Sequence, residues 1–171
     1  MKTRTPRAQA LATAQELLAE LAPYTERIEV AGSLRRGCEE VGDIEIVALA
    51  EFALDLFGEP FGESKVNQWL TGRGIKPTKD GDRYKQFEFG GYQVDLFIAG
   101  LHNWGLIYML RTGGAEFSKR MVTPKAWGGL MPLGFQVREG QVWRSGEPLA
   151  VATEQELFDL WGIQFIQPSG R

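Results

Sequence analysis

Residues 31–49 read AGSLRRGCEEVGDIEIVAL. Two kinds of chemistry stand side by side in that stretch. Gly32-Ser33 is a small-residue turn at which a backbone can approach an anion closely, and Ser33 adds a hydroxyl donor. Arg35 and Arg36 follow with planar guanidinium groups suited to bidentate contacts. Gly42-Asp43-Ile44-Glu45 then opens an apolar strand expected over 43–50. Side chains two apart on a strand share a face, so Asp43 and Glu45 project together while Ile44 and Ile46 enter the apolar layer. Two like charges that close repel each other, and a divalent cation between them removes the conflict.

The rest of the composition narrows what could fill such a site. The chain has 171 residues, 43% of them hydrophobic, enough for one core or two small lobes. It carries one cysteine, Cys38, and one histidine, His102. Intramolecular disulfides, thiolate zinc sites and paired-histidine sites are therefore excluded, and a metal would be held by oxygen, as magnesium or manganese prefers. No apolar run reaches the length of a spanning helix, and the N-terminal residues lack the apolar core of a signal peptide, so a cytoplasmic location without membrane contact is expected. The net charge of −3 argues against a strong, uniform nucleic-acid footprint. Local charge is segregated, with basic residues over the first 36 positions and at 119–125 and acidic residues at 51–63.

Working outward, Thr5-Pro6 reads as an N-cap and first helical position, with Leu11, Ala14, Leu17, Leu18 and Leu21 on one face of a helix that Pro23 closes. Strands are expected over 27–31, 83–89 and 92–99, the last two joined by a Gly90-Gly91 hairpin turn. Short helices are expected over 65–70, 103–111 and 115–121, a loop over 58–62, and a second hairpin over 136–144 turning at Glu139-Gly140. Thr153-Glu154-Gln155-Glu156 is a capping-box start for a helix through Leu160. The element order predicts an α+β protein with a boundary near Gly100, between an α/β lobe and a smaller mixed lobe.

Asp95, in YQVDLFIA (92–99), is a carboxylate in an otherwise apolar strand apart from Gln93. Such a group needs a partner, a metal or a solvated face. If its strand neighbours the first, three carboxylates meet and can hold two divalent ions. Plainer readings compete at each position. The acid pair can be a solvated face, Asp95 a surface or salt-bridged residue, Arg36 a partner of Glu39 or Glu40, and Ser118 and Lys119 an exposed helix face. Trp104, Trp127, Trp143 and Trp161 fit core packing better than base stacking, since they lie in apolar periodic segments.

Taken together, GSLRRGCEEVGDIEIV (32–47), YQVDLFIA (92–99), LRTGGAEFSKRM (110–121) and TEQELFDLWGIQFIQPSGR (153–171) resemble family X DNA polymerases, the DNA polymerase beta-like branch of the nucleotidyltransferases. The resemblance spans nearly the whole chain. It implies a nucleotidyltransferase palm over 1–101, a mixed β-sheet with helices on one face, and a small α/β thumb over 102–171. It makes Asp43, Glu45 and Asp95 the catalytic, metal-binding acids for two Mg2+ ions, with Mn2+ a substitute. Gly32, Ser33, Arg36, Gly42 and Arg4 would contact the triphosphate. Thr112 and Gly113 would pass the sugar and base, Ser118 the nascent pair, and Lys119 and Arg120 the DNA.

The sequence departs from the family at four places. Glu45 stands where the family has aspartate, which bears on metal preference. Leu110-Arg111 replaces an aromatic pair, which bears on sugar selectivity. Gln93 and Val122 replace arginines, which bear on primer control and on template reading. With the palm motifs so near the N-terminus, the resemblance implies a reduced palm-plus-thumb form without lyase or helix-hairpin-helix modules, monomeric, distributive and salt-sensitive, with a viral source, hence host cytoplasm, or a bacterial one.

The expected activity is metal-dependent transfer of nucleotides from dNTPs to a 3′-hydroxyl on gapped or primed DNA, as in short-gap repair. Template-independent transfer to RNA, protein or a small molecule is the alternative enzyme, and a catalytically silent nucleic-acid-binding module is the alternative without chemistry.

Overall fold

Two alternating strands organise the N-terminal part of the chain, and a capped helix organises the C-terminal part. The computed structural model describes residues 4–54, 56–57 and 60–171. Its elements are β1 (Thr5–Pro6), α1 (Arg7–Leu21), β2 (Thr25–Val30), α2 (Gly32–Arg36), β3 (Glu40–Val41), β4 (Ile44–Ala50), β5 (Phe52–Leu54), β6 (Pro60–Ser64), α3 (Lys65–Gly72), β7 (Lys79–Asp80), β8 (Tyr84–Phe89), β9 (Tyr92–Ile98), α4 (Trp104–Thr112), α5 (Ala115–Val122), β10 (Phe135–Arg138), β11 (Gln141–Arg144), β12 (Glu147–Leu149) and α6 (Glu154–Trp161). The protein is α+β and divides into two compact units, Met1–Val30 with Glu39–Ala99, and Ala31–Cys38 with Gly100–Arg171.

The first unit is built on a five-stranded mixed sheet of order β2-β4-β9-β8-β7, in which β4 and β9 run parallel and the other neighbours antiparallel. One face of this sheet is apolar: Ile44, Ile46, Ala48, Val94, Leu96 and Phe87 are all buried. Trp69 of α3 covers it, its ring 5.9 Å from Phe87 and 6.3 Å from Phe89. Helix α1 buries Ala10, Ala14, Leu17 and Leu21, a stripe at spacings of four, three and four. Lys85, buried on the apolar side, is neutralised by its register neighbour Asp80, to which it donates at 2.5 Å. The Gly90-Gly91 turn has φ of 56° and 81°, the two positive values that a two-residue hairpin needs.

Several expectations change. Thr5 does not cap α1; it pairs with Val41 in a β1–β3 ribbon and shares a 2.7 Å hydrogen bond with the Tyr92 hydroxyl. The buried stripe of α1 is rotated toward Ala10, leaving Leu11 and Leu18 half-buried. Asp43 lies in a bend one residue before β4, because the chain must leave the β1–β3 ribbon before joining the main sheet. Gly58 and Glu59 of the expected loop lie outside the described residues, while Pro60–Ser64 form β6 and pair with β5.

In the second unit, α4, α5 and α6 meet a three-stranded antiparallel sheet, β10-β11-β12, of which the last strand was not expected from the sequence. Leu106, Met109, Met121, Val142, Leu157, Phe158 and Trp161 form its core. The capping box is present: Thr153 Oγ1 accepts from the Glu156 backbone N–H at 3.2 Å, and Glu156 Oε2 accepts from the Thr153 N–H at 3.3 Å. Trp161 closes α6 onto α5 by donating to the Met121 carbonyl at 2.7 Å. Trp104 and Trp161 are core residues, whereas Trp127 is exposed and Trp143 half-buried. No helix among the described residues is long and apolar enough to cross a membrane.

Because Leu17 is wholly buried, Leu17→Ala is expected to cost about 3 kcal/mol in denaturant unfolding, whereas Leu56→Ala, at a fully exposed position, stays within about 0.5 kcal/mol.

Candidate functional site

The face of the first unit's sheet opposite Ile44 and Ile46 carries the acids. Glu45 on β4 and Asp95 on β9 are direct register partners in a parallel pair. Partners in adjacent strands, about 4.8 Å apart, project to the same side. Both are half-buried, and so is Asp43 at the bend that precedes β4. The alternation that buries Ile44 and Ile46 thus fixes the side of Glu45. It does not extend to Asp43, which lies outside the strand.

Asp95 is held by a polar network that the sequence reading missed. Its Oδ1 accepts from the Tyr84 hydroxyl at 2.7 Å, from Gln86 Nε2 at 2.8 Å and from Gln93 Nε2 at 3.2 Å. Oδ2 accepts from Gln93 at 3.1 Å. Gln86 is the antiparallel register partner of Asp95, and Tyr84 and Gln93 lie two residues from one or the other along their strands. The period-two pattern of residues 84, 86 and 88 was the signal available, since it puts Tyr84 and Gln86 on one face of β8. Gln93, where the resembled family has arginine, orients Asp95 by neutral hydrogen bonds.

The donor set is hard oxygen at partly solvated positions, which fits magnesium or manganese. Among the described residues, no three acidic, histidine or cysteine side chains are gathered into a ligand cluster. The fit therefore lies in donor chemistry and in the Glu45–Asp95 register, without convergence of all three carboxylates.

The Gly-Ser-Arg stretch belongs to the second unit. Gly32 has φ of 56°, a left-handed value that favours glycine, and opens the five-residue α2. Ser33 is half-buried at its second position, and Gly37, with φ of 78°, closes it. The two arginines have different surroundings. Arg35 grips Glu154 of α6 with both terminal nitrogens, at 2.8 and 2.6 Å, donates to Thr112 Oγ1 at 2.6 Å and stacks on the Tyr108 ring at 3.7 Å. Arg36 donates to the Thr112 carbonyl at 2.7 Å, rather than pairing with Glu39 or Glu40.

Glu154 is 8% exposed and also binds Arg171, whose guanidinium lies 5.0 and 5.2 Å from the Phe165 and Phe158 rings. Burial pushes the Glu154 carboxyl up, but hydrogen bonds and charge from Arg35 and Arg171 more than offset this and hold it below the usual carboxylate value. Burial, opposed by Glu154, draws the Arg171 guanidinium below its ordinary value.

The remaining expected site residues are spread out. Arg4 is exposed beside β1, and Gly42 is half-buried in the bend before β4. Thr112 is wholly buried. A Cβ on Gly113 would lie 2.5 Å from both Phe117 and Ser118 Oγ, so glycine permits the turn into α5. Ser118 donates to the Leu110 carbonyl at 2.8 Å, tying α5 to α4, and Lys119 and Arg120 are exposed on α5. No family description matches this sequence, and no curated protein matches it.

Two outcomes test the Glu154 clamp. Glu154→Gln leaves Arg35 and Arg171 facing each other without a counter-charge, and is expected to cost about 3 kcal/mol in urea unfolding, whereas the exposed Glu116→Gln stays within about 0.5 kcal/mol. With the folded pKa depressed below the unfolded 4.5, the clamp's contribution is complete above about pH 4.5 and is lost as pH falls through the lower folded value, which a pH series of unfolding midpoints reads directly.

Proposed function

We propose that the protein is a metal-dependent nucleotidyltransferase of the family X polymerase type, extending a DNA 3′-hydroxyl from nucleoside triphosphates. The observation that carries the reading is the in-register pairing of Glu45 with Asp95 on the sheet face opposite Ile44 and Ile46, with Asp43 two residues ahead. Asp43, Glu45 and Asp95 would hold divalent cations. Those ions, when bound, supply activation of the attacking hydroxyl and neutralisation of the triphosphate. Tyr84, Gln86 and Gln93 keep Asp95 in one orientation, so the carboxylate needs little reorganisation when it acts. Gly32, Ser33, Arg36, Gly42 and Arg4 would contact the phosphates, and the bond between Arg36 and the Thr112 carbonyl limits the motion of that cation.

A second reading, a nucleic-acid-binding module without chemistry, is favoured by one observation: the carboxylates are not gathered into a three-ligand set among the described residues. A primer-extension assay on labelled gapped DNA with Mg2+ or Mn2+ and each dNTP separates the two. The enzymatic reading expects extension that Asp95→Ala reduces about 100-fold or more with the circular dichroism spectrum unchanged, and that Tyr84→Phe lowers about tenfold. Absence of turnover with either metal alongside retained DNA binding contradicts it. Tailing of single-stranded DNA or RNA primers without a template identifies a terminal transferase instead.

A further inference from the structure

Beside Lys119 and Arg120, to which the resemblance gives a DNA contact, lies a surface of the second unit rich in aromatic side chains that the proposed chemistry does not use. Its three-stranded sheet turns Val137 and Val142 toward the core, so their strand neighbours Gln136, Arg138 and Trp143 project from the outer face. There the Arg138 guanidinium stacks 3.9 Å from the centre of the Trp143 ring, and the buried Trp143 Nε1 has no hydrogen-bond partner among the described residues. Trp143 and Arg138 line an open groove of about 620 Å³, whose other walls include Trp127, Leu133 and Phe135. Trp127 is 80% exposed and Leu133 97% exposed, a large apolar area left uncovered at the rim.

The charge around the groove selects its occupant. Among the described residues, the single charged one lining it is the cation Arg138. Trp127 also walls a second depression of about 400 Å³, lined by Lys119 and Arg120 together with one acid, Glu116. One exposed indole is thus shared by an aromatic, apolar groove and a depression with two cations. Flat rings for a base on one side and cations for phosphates on the other are the requirements of an unpaired strand, in which successive bases stack on aromatic side chains while the backbone tracks positive charge. An apolar peptide would use the rings and leave the lysine and arginines without a role.

We infer that this groove, with Trp127 and the Arg138–Trp143 stack as its platform, binds an unstacked base of a single-stranded stretch of nucleic acid whose phosphates run over Lys119 and Arg120. The inference does not depend on catalysis, so its test omits metal and triphosphate. The full chain is titrated in low salt with EDTA against a fluorescein-labelled 16-mer of thymidine, an abasic strand of equal length, and a blunt 16-base-pair duplex, read by anisotropy.

The expected result is tighter binding of the thymidine strand than of the abasic strand, weakened about tenfold by Trp127→Ala, restored in large part by Trp127→Phe, and weakened also by Arg138→Gln. Because Trp127 is exposed, its loss should leave the unfolding midpoint unchanged, and that measurement separates a lost platform from a lost fold. Equal affinity for thymidine and abasic strands overturns the inference, as does unchanged affinity in Trp127→Ala or preference for the duplex. A concentration-dependent dimer that Trp127→Ala abolishes, with no oligonucleotide binding, assigns the groove to a second copy of the chain and also overturns it.

Discussion

The parallel pairing of β4 with β9 is the constraint on which the first unit depends. It sets Ile44 beside Val94 and Ile46 beside Leu96 on the covered face, and Glu45 beside Asp95 on the other. Full burial of each such aliphatic side chain is worth about 1.5–3 kcal/mol, whereas burying an unpaired carboxylate costs several. A slip of one residue would exchange the two sets of side chains, so the register is enforced from the apolar side. The acids inherit their juxtaposition from the packing beneath them. Tyr84 and Gln86, delivered by the next strand of the same sheet, then fix the orientation of one of them.

The second unit is organised around a charge instead. Glu154, in the first turn of α6 just after its capping residue, draws Arg35 and Arg171 onto itself from distant parts of the chain. Adjacent arginines in one short helix thereby divide their roles. Arg35 is committed to Glu154, Thr112 and Tyr108, and Arg36 is steadied by its hydrogen bond to the Thr112 carbonyl. Under the proposed function, phosphate recognition through such a segment would call for a positioned cation, and the neighbouring Arg35 would supply the positioning.

Much of this could be read from residues close together in the chain. Alternation revealed β8 and β9, and an apolar run after Asp43 revealed β4; Gly90-Gly91 and Glu139-Gly140 marked the β8–β9 and β10–β11 hairpins; and Thr153 with Glu156 announced α6, because each of these signals is local. What could not be read depends on partners far along the chain. Thr5 resembles a helix cap until Val41 is brought beside it. Arg35 looks like a phosphate ligand until Glu154, 119 residues away, claims it. Asp43 looks like part of the strand until the β1–β3 ribbon requires a bend there. Trp127 has the composition of a core residue and the exposure of a contact residue, a distinction that only the packing of its neighbours decides.

Cation binding by the Glu45–Asp95 face is the property from which the proposed chemistry follows. Electron paramagnetic resonance of Mn2+, titrated with the protein in the presence of a nucleoside triphosphate, reads it without turnover. The wild-type chain should take up the Mn2+–nucleotide complex, and Glu45→Gln combined with Asp95→Asn should weaken that uptake at least tenfold while leaving the unfolding midpoint near its original value. Equal uptake by the wild-type chain and the doubly substituted one would contradict a metal site on this face.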